Sequence, residues 1–267
     1  MQLKFNKYFI SYNFFISICA VALTLNFSLI LNCKPPLSYY IFIFFGTLAA
    51  YNFLRHFATL KLFIRNRNGW AFYLIILGLT VSGIIYFMFS LYLKLYFISL
   101  GILVLFYTFP FSNTRNLRTL AFLKLFIIAL VWIFTACSVL FFSETGLVVT
   151  YSQKLFIAAE LFFFIAIIIP FDIHDVISDK FKTLPNTIGI KNSLLISKFC
   201  LVIYLMLIVF SNFTPSFKLG ELLFTGIAFY VIHIQKKEQS IVRLHYFVDG
   251  LIIVQLVFTI AIAQLNL

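Results

Sequence analysis

Nine apolar stretches follow one another along the chain, and each is bounded by charged or turn-forming residues. A helix needs about 20 mostly apolar residues to cross a bilayer, and the nine stretches have roughly this length. The third and fourth are separated only by a short turn, which we place around Lys94. We therefore predict transmembrane helices at approximately 8–31, 38–57, 70–92, 95–111, 119–142, 155–171, 193–213, 217–235 and 244–265.

The basic residues alternate between connecting segments that are rich in them and segments that are poor in them. If the N-terminus is cytoplasmic, sixteen Lys and Arg fall on the cytoplasmic side and four on the opposite side. Lys and Arg are enriched in the cytoplasmic loops of membrane proteins. The alternation therefore predicts a cytoplasmic N-terminus and an external C-terminus. We expect a multi-pass protein of a bacterial inner membrane, with residues 1–267 forming a single transmembrane domain.

The composition excludes an ordinary soluble protein. Hydrophobic residues make up 63% of the 267 positions and charged residues 10%, whereas soluble domains are about half apolar and about a quarter charged. The net charge of +12 would favour nucleic acid binding in a soluble protein. Here the distribution of positive charge in the loops explains it, so we expect the lipid bilayer, and not nucleic acid, as the partner.

The carboxylates are concentrated at one place. Three of the eight in the chain, Asp172, Asp175 and Asp179, fall within eight residues at the predicted cytoplasmic end of the sixth span. If this segment is helical, spacings of three and four place them on one face. Such carboxylates repel one another unless a cation neutralises them, and Mg²⁺ sites often combine one or two carboxylates with substrate phosphates. We predict a Mg²⁺ site here, with a solvated acidic loop as the alternative.

Polar and cationic residues lie near this cluster and at the end of the second span. Lys180 and Lys182 could pair with the aspartates or bind the oxygens of a phosphate. Asn52, Arg55 and His56 share one helix face because of their spacing. They could be interfacial residues whose charged ends reach the membrane surface. Asn52 lies deeper, which favours the interior of the bundle or a hydrogen bond between helices.

The acidic segment, together with the Lys-Thr-Leu-Pro run at 182–185 and Gly189, resembles the second aspartate-rich motif of the UbiA superfamily of intramembrane aromatic prenyltransferases. Residues 117–132 are also similar to the region between the fourth and fifth helices of that family. The resemblance implies an all-α bundle of nine transmembrane helices with a central cavity that opens on the cytoplasmic side. The loop charges predict the same number of spans separately.

The resemblance also implies a reaction. In this family two aspartate-rich motifs hold Mg²⁺, which binds the diphosphate of an isoprenyl diphosphate. The diphosphate leaves as an allylic carbocation forms, and a hydrophobic or aromatic acceptor takes the prenyl group. We therefore expect a Mg²⁺-assisted prenyltransferase in which Asp172, Asp175 and Asp179 hold the metal. The resemblance assigns no further catalytic residue.

The first aspartate-rich motif of the family departs from its usual form in this chain. The family pattern is Asn-Asp-x-x-Asp-x-x-x-Asp, and alignment on Asn52 places Phe53, His56 and Leu60 at the three Asp positions. Cationic side chains could then contact the phosphates in place of metal charge. The alternative is a protein that binds a prenyl lipid or supports a partner enzyme, and a transporter is a third possibility. The predicted diphosphate-binding residues are Asn52, Arg55, His56, Lys61, Lys180 and Lys182.

Three further acids lie within the predicted spans. Asp249 lies in the ninth span, where a charge is costly, so it needs a partner. We expect Glu160 and Glu221, near the outer ends of their spans, to be interfacial. The candidate partners of Asp249 are Lys124, Lys198 and Arg243.

Overall fold

The structure, a computed structural model, describes residues 8–56, 69–108, 121–144, 148–176, 183–235 and 240–265. Within these ranges the secondary structure is helical, apart from one isolated β-bridge between Cys33 and Ser143. A 3₁₀ segment, Ser138–Phe142, continues α5, and a π-helical segment, His245–Asp249, joins α10 to α11. The helices are α1 (Phe14–Ile30), α2 (Leu37–His56), α3 (Trp70–Met88), α4 (Leu91–Thr108), α5 (Ala121–Cys137), α6 (Tyr151–His174), α7 (Leu184–Ile188), α8 (Ile190–Val209), α9 (Pro215–His233), α10 (Ile241–Leu244) and α11 (Gly250–Leu265).

Seven helical segments in the described part of the chain are long and apolar enough to cross a membrane. They identify an all-α integral membrane protein, as the hydropathy pattern predicts. α1 and the segment Leu91–Leu105 of α4 are also apolar but shorter, so nine spans stay a prediction. The seven segments are Leu37–Arg55, Trp70–Met88, Leu123–Phe142, Tyr151–His174, Ile190–Val209, Pro215–His233 and Ile241–Gln264.

Two helix boundaries differ from the prediction. The turn expected around Lys94 lies at Phe89 and Ser90, and Lys94 belongs to the first turn of α4. A lysine can remain helical at such a place because its long side chain carries the charge towards the membrane surface. The first predicted span is interrupted at Tyr12 and Asn13, where Asn13 has a φ of 63°. Asparagine tolerates this left-handed conformation better than most residues, and α1 begins directly after it.

Contacts between loops and helix ends define two ends of the bundle. At one, which we call the Glu144 end, the Cys33–Ser143 bridge joins the segment after α1 to the segment after α5. An exposed ion pair of 3.1 Å between Lys34 and Glu144 lies beside it. At the other, the Asp175 end, α6 terminates and Asp175 follows it. α1 and α5 therefore both end at the Glu144 end, whereas α6 ends at the Asp175 end.

Small residues allow α2 and α3 to pack closely. A Cβ atom placed on Gly78 of α3 would lie 2.6 Å from the carbonyl oxygen of Phe45 and 2.9 Å from the Cβ of Ala49 on α2. Membrane helices commonly associate through such small residues, because van der Waals packing replaces the hydrophobic effect as the driving force in lipid. The α2–α3 pair thus forms one tightly packed wall of the cavity described below.

A proline in α6 is compensated by a side chain from α8. Pro170 has no backbone N–H, so it cannot donate the helical hydrogen bond to the carbonyl of Ala166. The hydroxyl of Ser197 donates to that carbonyl instead, at 2.7 Å. In a membrane a carbonyl without a donor is costly. This contact therefore allows α6 to continue through the proline to His174 and fixes α8 against it.

Candidate functional site

The first aspartate of the acidic segment is held by a lysine. Asp172 lies in the last turn of α6 and is 2% exposed. The ammonium group of Lys124, from α5, donates to its Oδ1 at 2.7 Å. Lys124 is itself buried, so the two charges neutralise each other away from water. The predicted role of Lys124 as a partner of Asp249 is wrong.

The second aspartate is more accessible. α6 ends at His174, and the backbone N–H of Asp175 caps it by donating to the carbonyls of Phe171 and Ile173. The side chain of Asp175 is 45% exposed. Its Oδ1 lies 2.9 Å from Nδ1 of His174. α6 therefore ends before Asp175, whereas the prediction that the aspartates share one helix face assumed a helix through the whole acidic segment. The third predicted ligand, Asp179, and the predicted phosphate ligands Lys180 and Lys182 lie outside the described residues.

The two aspartates that the structure describes, Asp172 and Asp175, differ in how well they could serve as Mg²⁺ ligands. Asp175 presents an accessible carboxylate of the kind that Mg²⁺ uses together with water and phosphate oxygens. Asp172 already has a cationic partner, and an ammonium group beside a carboxylate disfavours a second cation. Across the described ranges no group of three or more His, Cys, Asp or Glu side chains is placed to hold a metal. A site here would need Asp179 or a substrate phosphate to complete it.

Asn52 and Arg55, at the end of α2, bind the segment that precedes α1. Asn52 is fully buried, and its Nδ2 donates at 2.8 Å to the carbonyl of Tyr12 and also to its own helix. Arg55 is exposed, and its Nη1 lies 3.5 Å from the carbonyl of Ile10 and 3.4 Å from Oδ1 of Asn13. The depth of Asn52 in the second span predicted a hydrogen bond to a neighbouring helical segment, and the contact with Tyr12 is of this type. Binding of phosphate by either residue stays a prediction.

Arg55 is also within electrostatic range of the acidic end of α6, because the Asp175 carboxylate attracts the Arg55 guanidinium. His56 ends α2, but its side chain and the whole of Lys61 lie outside the described residues. The predicted association of the second span with the acidic segment therefore stays a prediction.

A histidine–aspartate pair lies beside this end. The Oδ2 of Asp249 is 2.6 Å from Nδ1 of His245, one turn earlier in the π-helical segment. The His245 ring contacts Phe171, which precedes Asp172, with 5.0 Å between ring centroids. The partner of Asp249 is thus His245 and none of the three predicted bases. The spacing of four residues was a signal in the sequence, because it places both side chains on one helix face.

An apolar cavity of about 680 Å³ lies between α2, α3, α4 and α5. Its volume is within the range of small-molecule sites. Tyr51 and Trp132 line it, and Tyr51 is close enough to Asp249 to be affected by its charge. Phe53 and Leu54 also line it, directly before Arg55 in the chain. The cavity therefore extends towards the polar groups at the Asp175 end.

No known protein family, curated protein or solved structure matches this chain. The function therefore has to be inferred from the side chains and their surroundings. At the Asp175 end the chain combines an accessible carboxylate, a guanidinium, a histidine held by an aspartate and an apolar cavity. This combination suits a ligand with an anionic head and a long apolar tail.

A second polar group lies deep in the bundle. Glu160, Tyr204, Glu221 and Gln255 belong to four helices, and each is 0% exposed. The prediction that the two glutamates are interfacial is wrong. Their positions along the spans suggested contact with the membrane surface, but both side chains point at neighbouring helices. The sequence offered no signal for this, because the apolar residues around them surround the whole helix.

Proposed function

We propose that the chain is a UbiA-like prenyltransferase that transfers an isoprenyl group from a polyprenyl diphosphate to a small hydrophobic or aromatic acceptor in the membrane. The observation that supports this most is the position of Arg55. It follows two residues that line the apolar cavity and is attracted by Asp175 at the acidic end of α6. An isoprenyl diphosphate needs this combination, with hydrocarbon walls for its tail and polar groups for its head.

The architecture proposed with this function has nine spans, with the N-terminus in the cytoplasm. The acidic end of α6 then faces the cytoplasm, where isoprenyl diphosphates would enter the cavity. The loop charges support this orientation.

The aspartates at the end of α6 would hold Mg²⁺. Asp175 and Asp179 would supply oxygen ligands, and Asp172, bound to Lys124, would mainly fix the position of the helix end. When bound, Mg²⁺ supplies positive charge to the diphosphate oxygens as the leaving group departs. Arg55 would donate hydrogen bonds to the same oxygens. His56, Lys61, Lys180 and Lys182 are predicted to do likewise.

His245 would accept the proton that the acceptor loses. The carbon–oxygen bond of the isoprenyl diphosphate breaks and its electrons leave with the diphosphate. The allylic carbon then bonds to the acceptor, which releases a proton to Nε2 of His245. Asp249, at 2.6 Å from Nδ1, would orient the imidazole and stabilise its protonated form, as an aspartate does for a catalytic histidine.

The test is diphosphate release by the purified full-length chain in lipid nanodiscs. Isoprenyl diphosphates of several chain lengths would be supplied with aromatic and lipid acceptors, with Mg²⁺ or with a chelator. We expect Mg²⁺-dependent release of diphosphate and a prenylated product. D175N should reduce the rate about 100-fold, whereas E144Q, at the opposite end, should not change it. Absence of release with folded protein would exclude the proposed transfer.

A second candidate is a protein that binds a prenyl lipid without turning it over. The Lys124–Asp172 pair favours it, because one of the predicted metal ligands is already neutralised. The replacement of the first-motif aspartates by Phe53, His56 and Leu60 favours it too. This candidate predicts saturable binding of polyprenyl phosphate with no product. Any Mg²⁺-dependent product would exclude it.

A further inference from the structure

Four polar side chains meet in the interior of the bundle, away from the Asp175 end. The hydroxyl of Tyr204, on α8, donates to Oε2 of Glu221, on α9. The amide of Gln255, on α11, donates to Oε1 of Glu160, on α6, and to the Tyr204 oxygen at 2.9 Å. All four side chains are fully buried. The group therefore links four helices without any contact with water.

The group is separate from the proposed transfer site. Glu160 lies twelve residues before Asp172 on α6, which corresponds to about 18 Å along the helix. It also lies nine residues after Tyr151, where α6 begins, or about 13 Å from that end. The polar group is thus located within the apolar thickness of the membrane, on the Glu144 side of its middle.

Two carboxyl groups in such a place need positive charge. An ionised carboxylate in a low-dielectric interior is costly unless it is paired. The titratable side chains that face this point are Glu160, Tyr204 and Glu221, and none of them supplies a cation. On the helices that carry the group, Lys154 and Lys191 are exposed, Lys198 contacts His233 and Lys218 donates to the carbonyl of Val209. Of the elements packed around them, α1 has no charged residue. The one lysine of α5, Lys124, pairs with Asp172, and His245 of the π-helical segment pairs with Asp249.

In this group the atoms that still lack a hydrogen-bond partner are all acceptors. The Tyr204 hydroxyl and the Gln255 amide have donated to their partners. Oε2 of Glu160, Oε1 of Glu221 and Oε1 of Gln255 are buried and have no hydrogen-bond partner among the described residues. Buried polar atoms are normally satisfied. Three oxygens with free lone pairs, two of them from carboxyl groups, therefore indicate a ligand that is positively charged.

We propose that Glu160, Glu221 and Gln255 form an intramembrane binding site for one small monovalent cation, either Na⁺ or a proton. One of the two carboxyl groups would be protonated throughout, and the bound cation, Na⁺ or a second proton, would neutralise the other. A monovalent ion suits the site, because a divalent ion demands about six oxygen ligands or several waters and the three oxygens without a partner are fewer. The cation would join α6 and α9 through their carboxyl groups. Because α6 also carries Asp172 and Asp175, cation binding would set the position of the helix that ends at the proposed transfer site.

The first test is the thermal unfolding midpoint of the purified full-length chain in nanodiscs. NaCl is compared with N-methyl-D-glucamine chloride at equal ionic strength, at about pH 6 and about pH 9. If the ligand is Na⁺, saturating Na⁺ should raise the midpoint by about 5 °C at the higher pH. If it is a proton, the midpoint should fall as the pH rises, whatever the salt. E160Q and E221Q should abolish either response, and E144Q should retain it.

The second test uses the wild-type chain and therefore does not depend on the variants folding. The infrared band of a protonated carboxyl group is recorded at the two pH values, with and without Na⁺. A band that is still present at the higher pH and that Na⁺ does not change indicates that the bound cation is a proton. A band that Na⁺ weakens supports the metal ion. Absence of a protonated-carboxyl band at both pH values, together with a midpoint that responds to neither Na⁺ nor pH, would overturn the site, whether or not the protein transfers prenyl groups.

Discussion

Lys124 and Asp172 form an ion pair between α5 and α6, with 2.7 Å between Nζ and Oδ1. Both side chains are buried, so each charge stabilises the other in a low-dielectric environment. Loss of one partner removes this stabilisation while the other charge stays buried, whereas loss of both removes both buried charges. The pair therefore fixes the acidic end of α6 against α5.

This pair gives the first prediction. We expect K124M alone to destabilise the protein by about 3–5 kcal/mol, because it removes the positive charge at 2.7 Å from the buried Asp172 carboxylate. The double variant K124M/D172L should be destabilised less than K124M. The free energy of unfolding, measured by titration from mild detergent into a denaturing one, checks this. K34M, which breaks the exposed pair with Glu144, is the control and should have a much smaller effect. A double variant no more stable than K124M would contradict the prediction.

The second prediction concerns the apolar cavity. Gly101 lines it, and a Cβ atom placed there meets no other atom within 4 Å. We expect G101F to weaken binding of an isoprenyl diphosphate at least about tenfold, or roughly 1.4 kcal/mol, because the ring occupies the space of the tail. Gly226 is equally open to a larger side chain but lies outside the cavity. G226F should therefore bind as the wild type does, and equal affinity of the two variants would place the tail elsewhere.

The third prediction concerns His245 in the proposed reaction. H245Q should lower the rate of product formation about 100-fold, because no imidazole then takes the proton that the acceptor loses. The rate of product formation by the purified variants in nanodiscs checks this. His233 contacts Lys198 at 3.0 Å and lies outside the His245–Asp249 pair, so H233Q should form product at the wild-type rate. An H245Q variant as fast as the wild type would exclude His245 as the proton acceptor.

The fourth prediction concerns the orientation of the chain. Glu144 and Ser240 are exposed, beyond opposite ends of the bundle. A membrane-impermeant maleimide should label E144C in intact expressing cells, and S240C only after permeabilisation. Among the native thiols, Cys33 lies at the same end as Glu144, and burial raises its pKa. Less of it is the reactive thiolate, so its labelling should be slow. The reverse pattern would invert the proposed topology.

The sequence predicted the helices well because the bilayer imposes a length and an apolar composition on each span. It failed where a local feature overrides that pattern. Lys94 is charged yet helical, so charge was a poor marker of the turn. The interruption before α1 depends on the left-handed conformation of Asn13, which no apolar run reveals.

The sites were predicted less well than the fold, because side-chain partners across helices depend on how each helix is rotated. The acidic segment was visible as a local cluster, but the pairing of Asp172 with Lys124 joins residues on different helices. Glu160 and Glu221 lie in spans that are apolar around their whole circumference, so nothing indicated that they meet. The His245–Asp249 pair is the exception, because both residues lie within one helical segment and their spacing could have revealed it.

The hydroxyl of Ser197 stands in for the hydrogen bond that Pro170 cannot give to Ala166. An ordinary residue at position 170 would restore that bond, and the Ala166 carbonyl would then no longer depend on the hydroxyl. The two positions thus constrain each other's evolution. Homologous chains that keep the proline at position 170 should keep a hydroxyl side chain at position 197, and those without the proline should show no such preference. The two positions should therefore show correlated substitution across two helices.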